Sequence, residues 1–182
     1  ILITGGVRSG KSSFAQELVA KLNQPVLFVA TAEAGDEEMR QRIEKHKRRR
    51  PASWDTLEIT TDIGSHISQK VGAAGVVIVD CITLLVNNIF GQYGDQTKAS
   101  SIEKKVAEET DKLIECIAQS NATFIIVTNE LGLGLVPTGE MSRLYRDLLG
   151  EANQCIAKVA DEVYLMVSGL PIQIKPPPTP ST

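Results

Sequence analysis

The fold of this chain is decided by eight residues near its start, Gly5-Gly6-Val7-Arg8-Ser9-Gly10-Lys11-Ser12. They form the pattern G-x-x-x-x-G-K-S, between a short apolar run and a segment whose apolar residues recur at helical spacing. In that strand, loop and helix context the pattern predicts a phosphate-binding loop, because glycines let backbone N–H groups curl around phosphate oxygens. Lys11 can then reach the β- and γ-phosphates, and the Ser12 hydroxyl can bind Mg²⁺. We therefore predict a nucleoside triphosphate site.

Apolar runs alternate with helical patterns along the rest of the chain. Runs rich in Val and Ile predict four further buried strands, at 26–30, 76–79, 124–128 and 163–167. Apolar residues at helical spacing indicate helices between 102 and 117 and between 141 and 159. This alternation predicts an α/β protein with the P-loop NTPase fold, in which a mostly parallel sheet carries helices on both faces. Ligands of such sheets bind beyond the carboxyl ends of the strands.

Length and composition favour one catalytic domain. The chain has 182 residues, of which 42% are hydrophobic and 23% charged, as in an ordinary globular domain with a sizeable core. We predict a single P-loop nucleotide-binding catalytic domain over residues 1–175. A proline-rich tail, 176–182, follows it; this tail lacks apolar residues that could pack, and we expect it to be disordered.

Charge and cysteine content limit the partners and the compartment. The net charge of −3 does not favour a nucleic-acid partner. No apolar run approaches the about 20 residues that a membrane span needs. The number of cysteines, three, is odd, and no two of them form a C-x-x-C motif. This pattern is typical of reduced thiols. Because the first strand also leaves no room for a signal peptide, we expect a cytoplasmic protein that acts on small molecules.

A carboxylate ends one of the predicted strands. Asp80 directly follows the apolar run 76–79. In P-loop proteins an aspartate at such a position reaches the Mg²⁺ beside the P-loop serine. Ser12 and Asp80 are therefore candidate metal ligands, and the alternative is a solvated aspartate at a strand end.

The segment from Asp36 to Arg50 predicts a helix with acidic residues at its start and basic residues at its end, which suits the helix dipole. Met39, Ile43 and His46 are spaced so that they share one face. A neutral histidine on that face could act as a nucleophile. Periodicity alone favours the simpler interpretation of a hydrogen-bonded histidine at the core edge, and of a solvated face for the basic residues. His66 lies in a polar segment, and we expect no special role for it.

Two further features could serve a ligand. The segment Asn129 to Pro137 follows a predicted strand directly and lies at the expected ligand-binding edge, where it is either a binding loop or a tight structural loop. Glu58 carries a carboxylate, which is the group that can accept both the N1 and N2 hydrogens of a guanine.

Taken together, these segments resemble the bifunctional adenosylcobinamide kinase/adenosylcobinamide-phosphate guanylyltransferase family of cobalamin biosynthesis, over residues 1–175. The helix that carries His46 and the N-E-x-G-x-G-x-V-P loop are more specific than the P-loop. The resemblance is carried by the segments 4–12, 30–32, 36–39, Arg42 with Ile43 and His46, Arg50-Pro51 with Trp54, 79–81, 128–134 with Val136-Pro137, Arg146-Asp147, Asn153-Gln154 and 160–163.

The resemblance implies two reactions and a set of site residues. A nucleoside triphosphate phosphorylates adenosylcobinamide, and GTP then gives GMP to adenosylcobinamide phosphate through a guanylyl-histidine. It implies Mg²⁺ as the cofactor, GTP or ATP as substrates, and a homo-oligomer, specifically a trimer. His46 and Lys11 are the implied catalytic residues. The implied nucleotide contacts are Gly5, Gly6, Val7, Arg8, Ser9, Gly10, Lys11, Ser12, Ala30, Thr31, Ala32, Lys47, Arg48, Arg49, Arg50, Glu58 and Asp80.

Two other functions are compatible with the P-loop. The first is a kinase of a smaller metabolite, which would need no histidine nucleophile and would not retain label from α-labelled GTP. The second is a P-loop ATPase that binds nucleic acid through the basic run 45–50. Its binding would weaken steeply with salt, and the net charge speaks against it.

Overall fold

The computed structural model describes residues 1–93 and 98–176, and the side chains of Arg42 and Arg49 lie outside this description. The predicted proline-rich tail therefore falls, apart from residue 176, outside the described residues. Within the described ranges, no helix is both long and apolar enough to cross a membrane.

Seven strands and six helices make up the described part of the chain. The strands are β1 (Leu2–Gly5), β2 (Val26–Ala30), β3 (Asp55–Glu58), β4 (Val76–Asp80), β5 (Thr123–Val127), β6 (Val163–Val167) and β7 (Leu170–Lys175). The helices are α1 (Lys11–Leu22), α2 (Glu37–Arg49), α3 (Ile63–Lys70), α4 (Ile82–Gly91), α5 (Ala99–Gln119) and α6 (Glu140–Val159).

The strands form one sheet in the order β3-β2-β4-β5-β1-β6-β7. Strands β1 to β6 pair in parallel, and β7 pairs antiparallel with β6 at the edge. This arrangement confirms the predicted α/β fold with a mostly parallel sheet. The sequence did not predict β3 and β7, because both are edge strands with mostly exposed or half-exposed residues and lack the continuous apolar run of a buried strand.

Alternating side chains of the strands build a core on each face of the sheet. Leu2 belongs to the larger cluster, which includes residues of α3, α4, α5 and α6. Its neighbour Ile3 belongs to the second cluster, which includes residues of α1. Helices therefore cover both faces, as predicted. The stripe predicted for α6 holds in its centre, whereas its two ends, Met141 and Val159, are exposed.

The sheet order brings distant segments to one edge. Strands β4 and β5 lie between β1 and β2, so the chain leaves β1 through the P-loop and α1 and crosses two strand positions before it enters β2. The carboxyl ends of β1, β2, β3, β4 and β5 therefore share an edge, where α1 begins. This is the edge at which ligands of parallel sheets bind.

Candidate active site

The P-loop connects β1 to α1 and depends on glycine at two positions. Gly5 has a φ of +142°, and a Cβ there would lie 2.5 Å from the Met166 carbonyl oxygen. Gly10 has a φ of +99°, and its Cβ would lie 3.1 Å from the Cα of Gly169. The turn between β6 and β7 thus packs directly against the loop, and the Gly169 N–H donates to the Ser9 carbonyl over 2.9 Å. Any side chain at either glycine would open this packing.

Lys11 begins α1 and is almost fully buried. Its ammonium nitrogen donates to the carbonyl oxygens of Gly5, at 3.0 Å, and Gly6, at 2.7 Å. Burial lowers the pKa of Lys11, and the nearby Asp80 carboxylate opposes that shift. The loop therefore holds a partly desolvated cation at the point where phosphates would lie.

Ser12 and Asp80 are brought together across 68 residues of sequence. The Ser12 hydroxyl donates to Asp80 Oδ2 over 2.9 Å. A hydroxyl beside a carboxylate fits Mg²⁺, which prefers oxygen ligands and completes its shell with phosphates and water. Within residues 1–93 and 98–176, no group of three or more His, Cys, Asp or Glu side chains could hold a metal ion. A metal held by Ser12 and Asp80 would take its remaining oxygen ligands from phosphates and water.

Helix α2 supplies one wall of the site. Its start is fixed by the Asp36 side chain, which accepts from the Met39 N–H over 2.7 Å, and by two acidic residues in the first turn. Met39, Ile43 and His46 lie on one face of α2, as their spacing predicted, and line the cavity that Lys11 and Ser12 also line. Met39 and Ile43 are half-buried, whereas His46 is exposed to the cavity and does not lie in the core. Its imidazole is thus accessible to a ligand.

Arg50 directly follows α2 as its C-cap, and its guanidinium lies over an aromatic ring. Its guanidinium carbon lies 3.8 Å from the centroid of Phe28, and Phe28 stacks in turn with Trp54 at 6.1 Å. Burial lowers the pKa of Arg50, while Asp80 and Glu58 oppose the shift. Arg50 Nε is buried without a hydrogen-bond partner among the described residues. The stacking therefore fixes a positive charge in the cavity with donor capacity left for an anion.

Glu58 lies at the carboxyl end of β3 and pairs with Lys47. Lys47 Nζ and Glu58 Oε1 are 2.7 Å apart, and both side chains are partly exposed. This ion pair holds the Glu58 carboxylate at the cavity wall. In the sheet, β3 lies at the far side from β1, separated from β4 by β2.

A cavity of about 570 Å³, here called the P-loop cavity, gathers most of the predicted site residues. Its size is in the usual range for small-molecule sites. The predicted residues that line it are Val7, Arg8, Lys11, Ser12, Ala30, Ala32, His46, Lys47, Arg50, Glu58 and Asp80.

The remaining predicted contacts among the described residues are not part of the cavity lining. Four of them belong to the P-loop itself, where the prediction concerned backbone N–H groups: Gly5, Gly6, Ser9 and Gly10. Thr31 is fully buried beneath the cavity. Its hydroxyl donates to the Cys81 carbonyl and accepts from the Cys81 N–H, both over 2.8 Å.

The basic run divides between two faces of α2. Arg48 lies in a surface groove on the outer face together with Glu44 and Lys45, so the structure does not bring it to the P-loop cavity. The reason is the helical period, which turns residue 48 away when residues 43, 46 and 47 face the cavity. The Arg49 side chain lies outside the described residues.

The Cys81 thiol also lines the cavity. Cys81 follows Asp80, and burial together with the Asp80 charge raises the pKa of its thiol to about 12. The sulfur is therefore protonated near neutral pH, and a protonated thiol is a poor nucleophile.

Asn88 of α4 was not predicted as a site residue. Its side-chain amide donates to the carbonyl oxygens of Thr31, at 2.7 Å, and Thr60, at 3.0 Å. These carbonyls belong to the loops that follow β2 and β3, and both loops border the cavity. An asparagine inside an otherwise apolar helix is the sequence signal that could have indicated this role.

We expect Asn88→Ala to lower the free energy of unfolding by about 1–3 kcal/mol, because two buried or half-buried carbonyls lose their donor. Urea denaturation followed by circular dichroism measures the change. Asn87→Ala is the matched control, since Asn87 is the exposed neighbour on the same helix and should be close to neutral. Equal unfolding free energies for the two variants would contradict this role of Asn88.

The fold and the loop define a P-loop nucleotide-binding protein. The family described as cobinamide kinase / cobinamide phosphate guanyltransferase matches residues 1–174. The chain belongs to this family.

Its relatives match over nearly their whole length. The bifunctional adenosylcobalamin biosynthesis protein CobU of Escherichia coli (strain K12) is 38% identical over 180 residues, which cover 96% of this chain and 99% of the relative. The protein of the same name from Salmonella typhimurium is also 38% identical over 180 residues, with the same coverage. CobP of Pseudomonas aeruginosa is 39% identical over 177 residues, covering 97% of this chain and 98% of that protein.

Among solved structures, the RadB recombinase is similar in fold, with a TM-score of 0.50 and 14% sequence identity. The match covers 91% of this chain and 73% of the recombinase. At this identity the similarity shows the shared fold alone.

Proposed function

We propose that this chain phosphorylates adenosylcobinamide and then transfers GMP from GTP to adenosylcobinamide phosphate, through a guanylyl group carried on His46. Family membership supports the two reactions. The observation that carries the assignment of residues is that one cavity is lined by Lys11 and Ser12 of the P-loop and by His46 of α2. A triphosphate in that cavity would have its γ-phosphate and its α-phosphorus within reach of different groups of the same protein.

In the kinase reaction the protein positions and neutralises charge. Lys11 and Arg50 face the cavity as partly desolvated cations, and both would stabilise charge on the phosphate oxygens in the transition state. Ser12 and Asp80 are the residues that would hold Mg²⁺, which adds further positive charge next to the phosphates when bound. The acceptor hydroxyl needs no protein nucleophile, because the phosphoryl group passes to it directly.

In the guanylyl reaction His46 is the nucleophile. An imidazole nitrogen attacks the α-phosphorus, a nitrogen–phosphorus bond forms, and the bond to the leaving pyrophosphate breaks. A phosphate oxygen of adenosylcobinamide phosphate then attacks the same phosphorus, and the imidazole leaves. Arg50 supplies positive charge at this end of the cavity, while Lys47, which adjoins His46 on α2, is paired with Glu58. Arg48 is not part of this set because it lies on the outer face.

Glu58 is the candidate for base recognition. Its carboxylate is anchored by Lys47 and lines the cavity, and a carboxylate can accept both the N1 and N2 hydrogens of guanine. Adenine lacks that pair of donors. Glu58 would therefore favour GTP in the guanylyl reaction.

The experiment that tests the proposed function uses GTP labelled at the α-phosphate. The purified protein is incubated with this GTP and Mg²⁺ and then denatured, and the label that stays with the polypeptide is measured. A kinase of a smaller metabolite would retain no label. Steep loss of DNA or RNA affinity with salt would instead support the nucleic-acid alternative.

Asp80→Asn should raise the Mg²⁺ concentration needed for half-maximal activity in both reactions by about tenfold, a loss of about 1.4 kcal/mol in binding. The physical reason is that a neutral amide replaces the carboxylate that lies 2.9 Å from the Ser12 hydroxyl. Titration of each reaction with Mg²⁺ at fixed nucleotide measures the shift. Asp55→Asn is the control, because Asp55 is exposed at the start of β3. An unchanged titration for Asp80→Asn would remove Asp80 from the metal set.

Assembly, nucleic-acid binding and compartment stay predictions. We expect a homo-oligomer, a trimer by analogy with the family, with no nucleic-acid partner and a cytoplasmic location.

A further inference from the structure

A second cavity, here called the α6 cavity, lies beside the P-loop cavity. It has a volume of about 750 Å³ and lies between α6 and the segment 130–136, over the strands β1 and β6. Of the residues that the structure describes, none lines both cavities. The reactions proposed above assign no part to this second cavity.

The α6 cavity has an apolar floor and polar walls. Leu2, Leu149 and Val163 form the floor. The walls carry carboxylates from Glu130 and Glu151 and further polar side chains of α6. On α6, positions 146, 147, 150, 153, 154 and 157 recur every three or four residues and make up the helix face that is turned to the cavity.

Two features of this lining are not explained by the stability of the fold. The Thr4 hydroxyl oxygen is buried in its lining and has no hydrogen-bond partner among the described residues, and Thr4 is only 9% exposed. A buried hydroxyl without a partner is unfavourable unless something else supplies one. Gly150 lies in the middle of α6, where a Cβ would meet nothing within 4 Å. Glycine is a poor helix former, so helix stability does not explain its presence there.

The two cavities meet at the carboxyl end of β5. Asn129 lines the P-loop cavity, and the next residue, Glu130, lines the α6 cavity. The Glu130 N–H donates to the Gly5 carbonyl over 3.1 Å, which fixes this wall to the start of the P-loop. On the other side, the Asn153 side chain donates to the Asn129 carbonyl over 3.0 Å. A molecule in the α6 cavity would therefore lie one residue away from the lining of the P-loop cavity.

We propose that the α6 cavity binds the amide-bearing edge of the cobinamide macrocycle and so positions its hydroxyl arm at the P-loop. This inference rests on the proposed function. Primary amides both donate and accept, which suits walls that carry the Glu130 and Glu151 carboxylates as acceptors and the Arg146 guanidinium as a donor. The apolar floor suits the hydrocarbon edge of the ring. The cavity volume is large enough for several amide arms.

The sharpest test is Gly150→Leu, which places a side chain in the open space of the cavity. Leucine also has a higher helix propensity than glycine, so the helix should not be weakened. We expect the Kd for cobinamide to rise by at least about tenfold, or 1.4 kcal/mol. Equilibrium dialysis followed by the visible absorbance of the corrinoid measures it. Gly150→Ala adds only a methyl group and should have a smaller effect. Gly91→Leu is the control, because Gly91 ends α4, is exposed, and also has open space.

A second variant and a second readout keep the outcomes separate. Glu151→Ala, at an exposed position, should weaken cobinamide binding several-fold without affecting folding. Labelling by α-labelled GTP needs no corrinoid, so in Gly150→Leu it should persist while cobinamide binding falls.

Absence of labelling in the unaltered protein would count against the proposed function and not against this cavity, because the role of the cavity is measured by cobinamide binding. Wild-type affinity in both variants would overturn the proposal. A change of oligomeric state in Gly150→Leu at unchanged cobinamide affinity would also overturn it, since the cavity would then be an interface between copies.

Discussion

His46→Ala should lose all label from α-labelled GTP and all guanylyl transfer, and it should keep at least part of the kinase activity. The label requires a nitrogen–phosphorus bond to the imidazole, whereas γ-phosphoryl transfer requires positioning and charge neutralisation but no protein nucleophile. His46 is exposed to the cavity on a helix whose start is capped by Asp36, so its removal should leave the fold intact. Gel analysis after denaturation measures the label, and cobinamide phosphorylation measures the kinase.

The chemistry of the bond provides a further check. A phosphoramidate is labile in acid and stable in alkali, unlike a serine ester, so label on the unaltered protein should leave in acid and remain in base. His66→Ala is the matched control. His66 lies on α3, where its ring nitrogen is 2.8 Å from the Asp62 carbonyl oxygen, and it does not line the P-loop cavity. This variant should label normally.

Two results would contradict the assignment of His46. If His46→Ala still retains GMP with the same lability, another side chain is the nucleophile. Cys81 is a poor candidate, because burial raises the pKa of its thiol to about 12. If labelling and kinase activity vanish together in a folded protein, His46 contributes to nucleotide binding shared by both reactions.

The features that the sequence predicted well are local in their physical cause. A glycine loop between a strand and a helix specifies its own conformation, and so Gly5 to Ser12 could be interpreted without knowing the rest of the fold. Strands buried on both faces carry continuous apolar runs, and so their positions were predicted to within a residue or two. The shared face of Met39, Ile43 and His46 follows from the helical period alone.

Features that depend on distant contacts could not be predicted in this way. Ser12 lies near Asp80 because the start of α1 extends over β5 to β4. This depends on the order of the strands, which no single segment of the sequence specifies. Asn88 acts through two carbonyls that lie 28 and 57 residues away in sequence. The α6 cavity arises from β1, α6 and the loop after β5 together. Even the exposure of His46 depends on how α2 lies against the sheet, and periodicity specifies only which residues share a face.

Lys11→Ala should reduce the kinase rate by a factor on the order of 10²–10³, a loss of about 3–4 kcal/mol of transition-state stabilisation. The ammonium is held by the Gly5 and Gly6 carbonyls at the mouth of the P-loop, where the transferred phosphoryl group would develop charge. The guanylyl reaction should fall as well, because pyrophosphate is a charged leaving group. Initial rates at saturating Mg²⁺ and nucleotide measure both effects.

The Lys11 variant should fold, and this can be argued from charge. Burial lowers the pKa of Lys11, so the charged amine costs stability in the folded state at every pH below its folded-state pKa. That cost disappears only as the pH rises through the unfolded-state pKa. Removing the ammonium at neutral pH therefore relieves this desolvation cost, which offsets part of the loss of its hydrogen bonds to the Gly5 and Gly6 carbonyls. Lys21→Ala, in the exposed last turn of the same helix, is the control and should keep full activity. Near-normal turnover in Lys11→Ala would exclude the phosphate role of Lys11.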